Sequence, residues 1–263
     1  MENTQSMNRM ERIFKENKEK GKHSLVLYFP IGDTILGSDV EWAGRYFNNG
    51  VDVLEIGLPY EEPSLDGPSV KHSMERALKV VNLEKVFSSI KEIRKAFPNN
   101  ILQIMTYFGN IEKYGIERFA EICHECGVDG MLSPDAPKEK LTELDRELSQ
   151  YNIFNLRFVP YNLTDEIIVN LKNKARGYIF QQAVNGATGP QKTVDIQVKS
   201  DIQKIKAAGV TTPVFAGFGI NDAKQAAEVL SMGADGVIVG SATINHVAEG
   251  NGEEYIKSLS RVM

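Results

Sequence analysis

Eight short apolar runs recur along the chain, separated by stretches of helical periodicity, and this alternation limits the possible folds more than any other feature. The runs cover 24–29, 51–56, 101–106, 128–132, 153–159, 177–181, 213–216 and 236–239. Each is too short for a helix and rich in Val, Ile, Leu and Phe, which reads as strand. Being apolar on both faces, the runs suit parallel strands buried under helices. The intervening stretches carry helix signals: Ser38 with Glu41 forms a capping box, Gly50 follows the periodic Val40, Ala43 and Phe47, and Thr164 and Asn221 stand at further helix starts. Eight strand–helix units in 263 residues match a single α/β domain, a (β/α)8 barrel over 1–263, with an open doubly wound sheet as the alternative. A polar segment over about 5–20 adds an extra N-terminal helix.

Strand starts fall about 23–27 residues apart, with two exceptions. The second and third runs are separated by about 50 residues and the sixth and seventh by about 35, so long loops follow strands 2 and 6. In a barrel these loops lie on the C-terminal face, where active sites are built.

Charge and composition narrow the partners. Thirty Lys and Arg against 35 Asp and Glu give a net charge of -5, the wrong sign for covering a phosphate backbone or an anionic membrane. No apolar run approaches the ~18–20 residues of a membrane-spanning helix. The opening residues lack the apolar stretch of a signal peptide, and two Cys are too few for a disulfide framework, so a reduced, cytoplasmic protein is expected. Cys123-His124-Glu125-Cys126 lies on an amphipathic helix without a second ligand pair and reads as structural rather than metal-binding.

Two carboxylates and three glycine clusters are the candidates for chemistry. Glu55 interrupts an apolar strand, so it either faces the barrel mouth or pairs with a buried cation; the long loop that follows favours catalysis. Asp66 lies in that loop before Gly67-Pro68, and local sequence alone reads it as a turn or helix-start residue. Gly186-Ala187-Thr188-Gly189, Gly217-Phe218-Gly219 and Gly240-Ser241-Ala242 each follow a strand. Glycines let backbone approach a ligand, and a helix N-terminus offers N–H groups to an anion, which together suggest a phosphate site. Tyr28, Met105, Tyr107 and Phe218 sit at or near strand ends, either as barrel packing or as an aromatic pocket.

In order along the chain, these motifs resemble the α subunits of tryptophan synthase over roughly 14–244. The resemblance rests on Gly32-Asp33, Glu55-Ile56-Gly57-Leu58-Pro59-Tyr60, Asp66-Gly67-Pro68 and Met105-Thr106-Tyr107, and continues through Gly127-Val128-Asp129-Gly130, Pro134-Asp135 and the three glycine clusters. It implies a lyase that splits indole-3-glycerol phosphate into indole and glyceraldehyde 3-phosphate without a cofactor in this chain. It also implies a β-subunit partner in an α2β2 assembly that carries pyridoxal phosphate. Glu55 matches the family's acid–base residue and Asp66 the carboxylate that stabilises the indole ring. Gly189, Gly219, Gly240 and Ser241 match phosphate-binding positions, and Tyr28, Tyr107, Phe180 and Phe218 line up with the indole pocket.

The chain departs from the family at Glu61-Glu62-Pro63, where Ser-Asp-Pro is usual, and at Leu65, where Ala is usual. Phe180 replaces a pocket Tyr, Ala183 stands in place of a Ser before the sixth-strand glycines, and Phe108-Gly109-Asn110 stands where an Asn is usual soon after the strand-3 Tyr. The carboxylates are retained while the loops that close the site and dock the partner drift. A stand-alone indole-3-glycerol phosphate lyase and a non-catalytic phosphate-ligand-binding barrel that regulates a partner are the alternatives.

Overall fold

The computed structural model describes residues 7–161, 163–183 and 196–263. Its strands are all parallel: β1 (Ser24–Phe29), β2 (Val53–Gly57), β3 (Ile101–Met105), β4 (Gly130–Leu132), β5 (Phe154–Asn155), β6 (Arg157–Val159), β7 (Ile179–Gln182), β8 (Val214–Gly217) and β9 (Gly236–Val239). The order β5-β4-β3-β2-β1-β9-β8-β7-β6 excludes the open doubly wound sheet, because consecutive strands are neighbours and β1 lies beside β9. The fifth apolar run is split. Its first half pairs with β4 and its second with β7, and Leu156 between them still donates its N–H to Met131 at 2.8 Å. One predicted strand thus changes partners within a residue, and through it the ring closes as a (β/α)8 barrel.

Alternate residues face the two sides of each strand, as the two-residue repeat requires. Val26 and Tyr28, Val53, and Ile101 and Met105 belong to the interior cluster. Leu25, Leu27, Phe29, Leu54, Ile56, Leu102 and Ile104 pack with the outer helices. This double burial is why the runs looked apolar throughout.

The expected N-terminal helix is α1 (Arg9–Glu19), which closes the lower end of the barrel. Its Met10 and Phe14 belong to the interior cluster, and Phe14 meets Phe215 edge-on with ring centres 5.1 Å apart. Gly130 and Gly177 leave the room for Met10: a Cβ on Gly130 would lie 2.6 Å from the Met10 methyl, and one on Gly177 would lie 3.1 Å from its sulfur. Arg9 and Arg94 both bind the carboxylate of Asp129 at 2.8 Å.

Helix α2 (Asp39–Asn48) starts as expected, with Ser38 Oγ accepting from the Glu41 N–H. The long interval after β2 holds an inserted helix, α3 (Pro68–Leu78), ahead of α4 (Leu83–Ala96). Arg76 on α3 grips the buried carboxylate of Asp33, beyond β1, at 2.7 and 2.6 Å and so ties the insertion to the barrel mouth. Cys123 in helix α5 (Ile116–Glu125) and Cys126 at its C-terminal cap are buried as structural thiols, and no metal-binding cluster occurs among the described residues. Thr164 caps the helix over Asp165–Lys174 as expected. The cap at the later start is Asp222 rather than Asn221: Asp222 accepts from the Gln225 N–H at 2.8 Å, while the Asn221 amide bonds Gly219 O. No helix among the described residues is long and apolar enough to cross a membrane.

Candidate active site

Nine of the ten predicted site residues line one pocket of about 680 Å³ at the C-terminal mouth: Tyr28, Glu55, Asp66, Tyr107, Phe180, Phe218, Gly219, Gly240 and Ser241. Gly189, with the rest of its glycine cluster, lies outside the described residues.

Glu55 stands in register with Tyr28 on one side and Gln103 on the other. Among the described residues no cation pairs with Glu55, so the buried-cation alternative is not realised there. Glu55 Oε1 instead accepts from Gln103 Nε2 at 3.0 Å, and Gln103 Oε1 accepts from the Tyr178 hydroxyl. Burial raises the Glu55 carboxyl to about 8 against the opposing effect of the Gln103 donor, with the Asp66 charge adding to the rise. At neutral pH Glu55 is therefore a proton donor held inside the pocket. Tyr28 shares this environment, and its hydroxyl, buried and without a hydrogen-bond partner among the described residues, leans over Gly57, where any Cβ would overlap the ring. Burial and then the neighbouring carboxylates push its pKa well up, so it stays protonated.

Asp66 is placed by the turn that precedes α3. It accepts a 2.7 Å bond from the Tyr107 hydroxyl, which itself accepts from the Leu65 N–H at 3.0 Å. Tyr60 stacks on Tyr107 with ring centres 5.1 Å apart, backing the carboxylate's support. Asp66 is thus a pocket residue and not merely the turn residue that local sequence suggested.

Phe180 on β7 completes an aromatic wall with Phe158 and Phe218, with ring centres 5.5–5.9 Å apart. A Cβ on Gly217 would lie 2.6 Å from the Phe180 ring, so that glycine makes space for the wall. Phe218 holds φ +75, a conformation costly for a bulky side chain, and it carries the chain into Gly219 at φ +74. Beyond β9, Gly240 precedes helix α6, Ser241–Ala248, whose first turn has no side-chain cap, and the buried Ser241 hydroxyl has no hydrogen-bond partner among the described residues. A helix N-terminus and an unused hydroxyl at one end of a pocket suit an anionic group.

Sequence reasoning missed Gln103, Tyr178 and Phe158. Gln103 carried a partial signal, since an amide at the centre of an apolar strand needs a buried partner, though the sequence does not say which. Tyr178 and Phe158 carried none beyond their place in apolar runs.

Fold and pocket together define a (β/α)8-barrel enzyme with its site at the C-terminal mouth. Residues 14–263 match the family described as tryptophan synthase alpha chain. A tryptophan synthase alpha chain from Pelobacter propionicus is 33% identical, covering 97% of this chain and 95% of its own. Another from Methanosarcina acetivorans is 31% identical, covering 94% and 90%. Among solved structures, one from Aquifex aeolicus VF5 superposes with a TM-score of 0.89 at 29% identity, covering 98% of this chain and 99% of its own. Tryptophan synthase subunit alpha from Legionella pneumophila gives 0.87 at 27%, covering 98% of each. The chain belongs to the tryptophan synthase alpha chain family, a family of lyases.

Proposed function

We propose that the chain cleaves indole-3-glycerol phosphate by a retro-aldol step, releasing indole and glyceraldehyde 3-phosphate. What carries this reading is the Glu55 carboxyl, kept protonated by burial in the same apolar pocket as a second carboxylate, Asp66. Breaking the bond between indole C3 and the glycerol chain needs a proton delivered to C3 and another removed from the adjacent hydroxyl. Glu55 gives its proton to C3 and, as the carboxylate, takes the hydroxyl proton while the carbon–carbon bond breaks, so it ends the cycle as it began. Protonation at C3 puts positive charge on the ring, and Asp66 near the ring N–H stabilises it.

Tyr28, Tyr107, Phe180 and Phe218 enclose the indole. Gly219, Gly240 and Ser241, with the first N–H groups of the last pocket helix, receive the phosphate, and Gly189 belongs to the same set by sequence. Carboxyl chemistry supplies both proton transfers, so this chain uses no cofactor of its own. Its partner is a β subunit that carries pyridoxal phosphate and condenses the indole with serine in a cytoplasmic α2β2 complex.

Indole release from indole-3-glycerol phosphate tests the reading. Glu55→Gln, which keeps the shape and removes the proton, should lower kcat by at least ~10²-fold while substrate still binds. Turnover that survives the substitution would sink the assignment.

A further inference from the structure

The proton on Glu55 has two oxygens available, and the residues behind it choose between them. The Gln103 amide oxygen accepts a hydrogen bond from the Tyr178 hydroxyl, so its NH2 group is what meets Glu55 Oε1, at 3.0 Å. An NH2 group donates and does not accept. Oε1 is therefore an acceptor in both protonation states, and the acidic hydrogen is confined to Oε2. Gln103 and Tyr178 are fully buried and Glu55 is 4% exposed, so water does not compete for these bonds.

We propose that Gln103, anchored by Tyr178, is a positioning residue of the proton shuttle: it turns the Glu55 carboxyl so that Oε2 delivers and recovers the proton. This rests on Glu55 being the acid–base group of the reaction proposed above. When Glu55 has given up its proton, the contact becomes a charge-assisted bond, which is stronger than the neutral one. Stabilisation that grows as the reaction proceeds lowers the barrier rather than only tightening substrate binding. The other titratable groups facing Glu55 among the described residues are Tyr28 from β1, Tyr178 from β7 and Asp66 from the loop after β2. Gln103 is the neutral donor that opposes the effect of burial and of the Asp66 charge.

The test compares wild type with Glu55→Gln, Gln103→Met and Tyr178→Phe for kcat, KM and the pH profile of indole release. In parallel, ¹³C NMR of glutamate-labelled protein titrates the Glu55 carboxyl directly, identified as the resonance missing from Glu55→Gln. Gln103→Met keeps the length of the side chain and removes the donor. It should lower kcat by about 10- to 100-fold with KM little changed. The basic limb of the profile and the carboxyl midpoint should both move to higher pH, because the donor that favoured the anion is gone. Tyr178→Phe, which removes only the anchor hydroxyl, should move the midpoint in the same direction by less. A Gln103→Met protein with wild-type kcat and an unmoved midpoint overturns the proposal. If that variant does not fold, Tyr178→Phe decides alone, and an unmoved midpoint there overturns it equally. Wild type that releases no indole counts against the reaction, whereas the carboxyl midpoints judge Gln103 independently of turnover.

Discussion

Glu55 keeps its proton in the pocket at a cost in folding stability. In the unfolded chain it titrates near the ordinary 4.5, whereas in the fold burial raises it to about 8. Between those values the native chain holds a proton that the unfolded chain has lost, so this residue's contribution to stability falls as the pH rises through the window. The contribution is fully present below about 4.5 and gone above about 8. Glu55→Gln is neutral at every pH and escapes the penalty. It should be more stable than wild type at about pH 9, on the order of a few kcal/mol, with the gap closing towards about pH 5. Urea unfolding midpoints at the two pH values check this, and a gap that stays constant between them would exclude it. The same residue was legible in the sequence because a carboxylate inside an apolar strand is conspicuous. Asp66 was legible only through the family resemblance, since an Asp before Gly-Pro looks like any turn until Tyr107 is seen holding it. Gln103 was passed over because its function depends on register: only the pairing of β2 with β3 sets it beside Glu55.

Elements were legible wherever one period governed a whole segment. Eight apolar runs became strands because each is buried from both sides, and Ser38 and Thr164 cap helices as read. The fifth run was not legible as two strands, because its change of partner at Leu156 is set by closure of the ring and not by local composition. Asn221 and Asp222 are both good caps, and the choice fell to Asp222 because the Asn221 side chain is already bonded to Gly219 O and its carbonyl to the Tyr255 hydroxyl. Helix α1 was read as an addition to the barrel, yet it acts as the lower wall of the core. Met10 fills the space left by Gly130 and Gly177 and is completely buried, so Met10→Ala leaves a cavity that neighbouring backbone cannot easily close. The expected cost is about 2–5 kcal/mol of unfolding free energy, read from chemical denaturation. KM for the substrate should stay unchanged, because the plug lies at the opposite end of the barrel from the pocket. A loss below about 1 kcal/mol, or a shifted KM, would show that α1 is not a structural plug.

The charge around the pocket rim decides what can meet it. Glu61, Glu62, Glu75 and Asp135 are exposed around one shallow groove, with Lys71 as the cation on its lining, and Leu65 beside them is 37% exposed. An acidic rim on a chain of net charge -5 repels anionic surfaces and favours a partner that presents Lys or Arg. Charges buried at an interface help only when they are met, so the two adjacent glutamates impose a condition on the β subunit. If its docking face is basic, association should weaken as salt screens the attraction, and charge reversal by Glu61→Lys with Glu62→Lys should weaken it further. Coupling between bound sites is reciprocal, so substrate in this chain's pocket should tighten the β subunit's hold on this chain by the factor through which the β subunit tightens substrate binding. A rim without a matching partner leads elsewhere: the barrel then works alone, turning over at about 1 s⁻¹ or faster, within the common enzyme range. The first outcome is expected, because Asp66 and Leu65 are linked through Tyr107, and whatever packs on Leu65 acts directly on the pocket carboxylate proposed to stabilise the indole ring. Indole release measured alone, with the organism's β subunit, and with both at rising salt separates the two. Full activity alone with no change on mixing would show that the chain is an independent lyase.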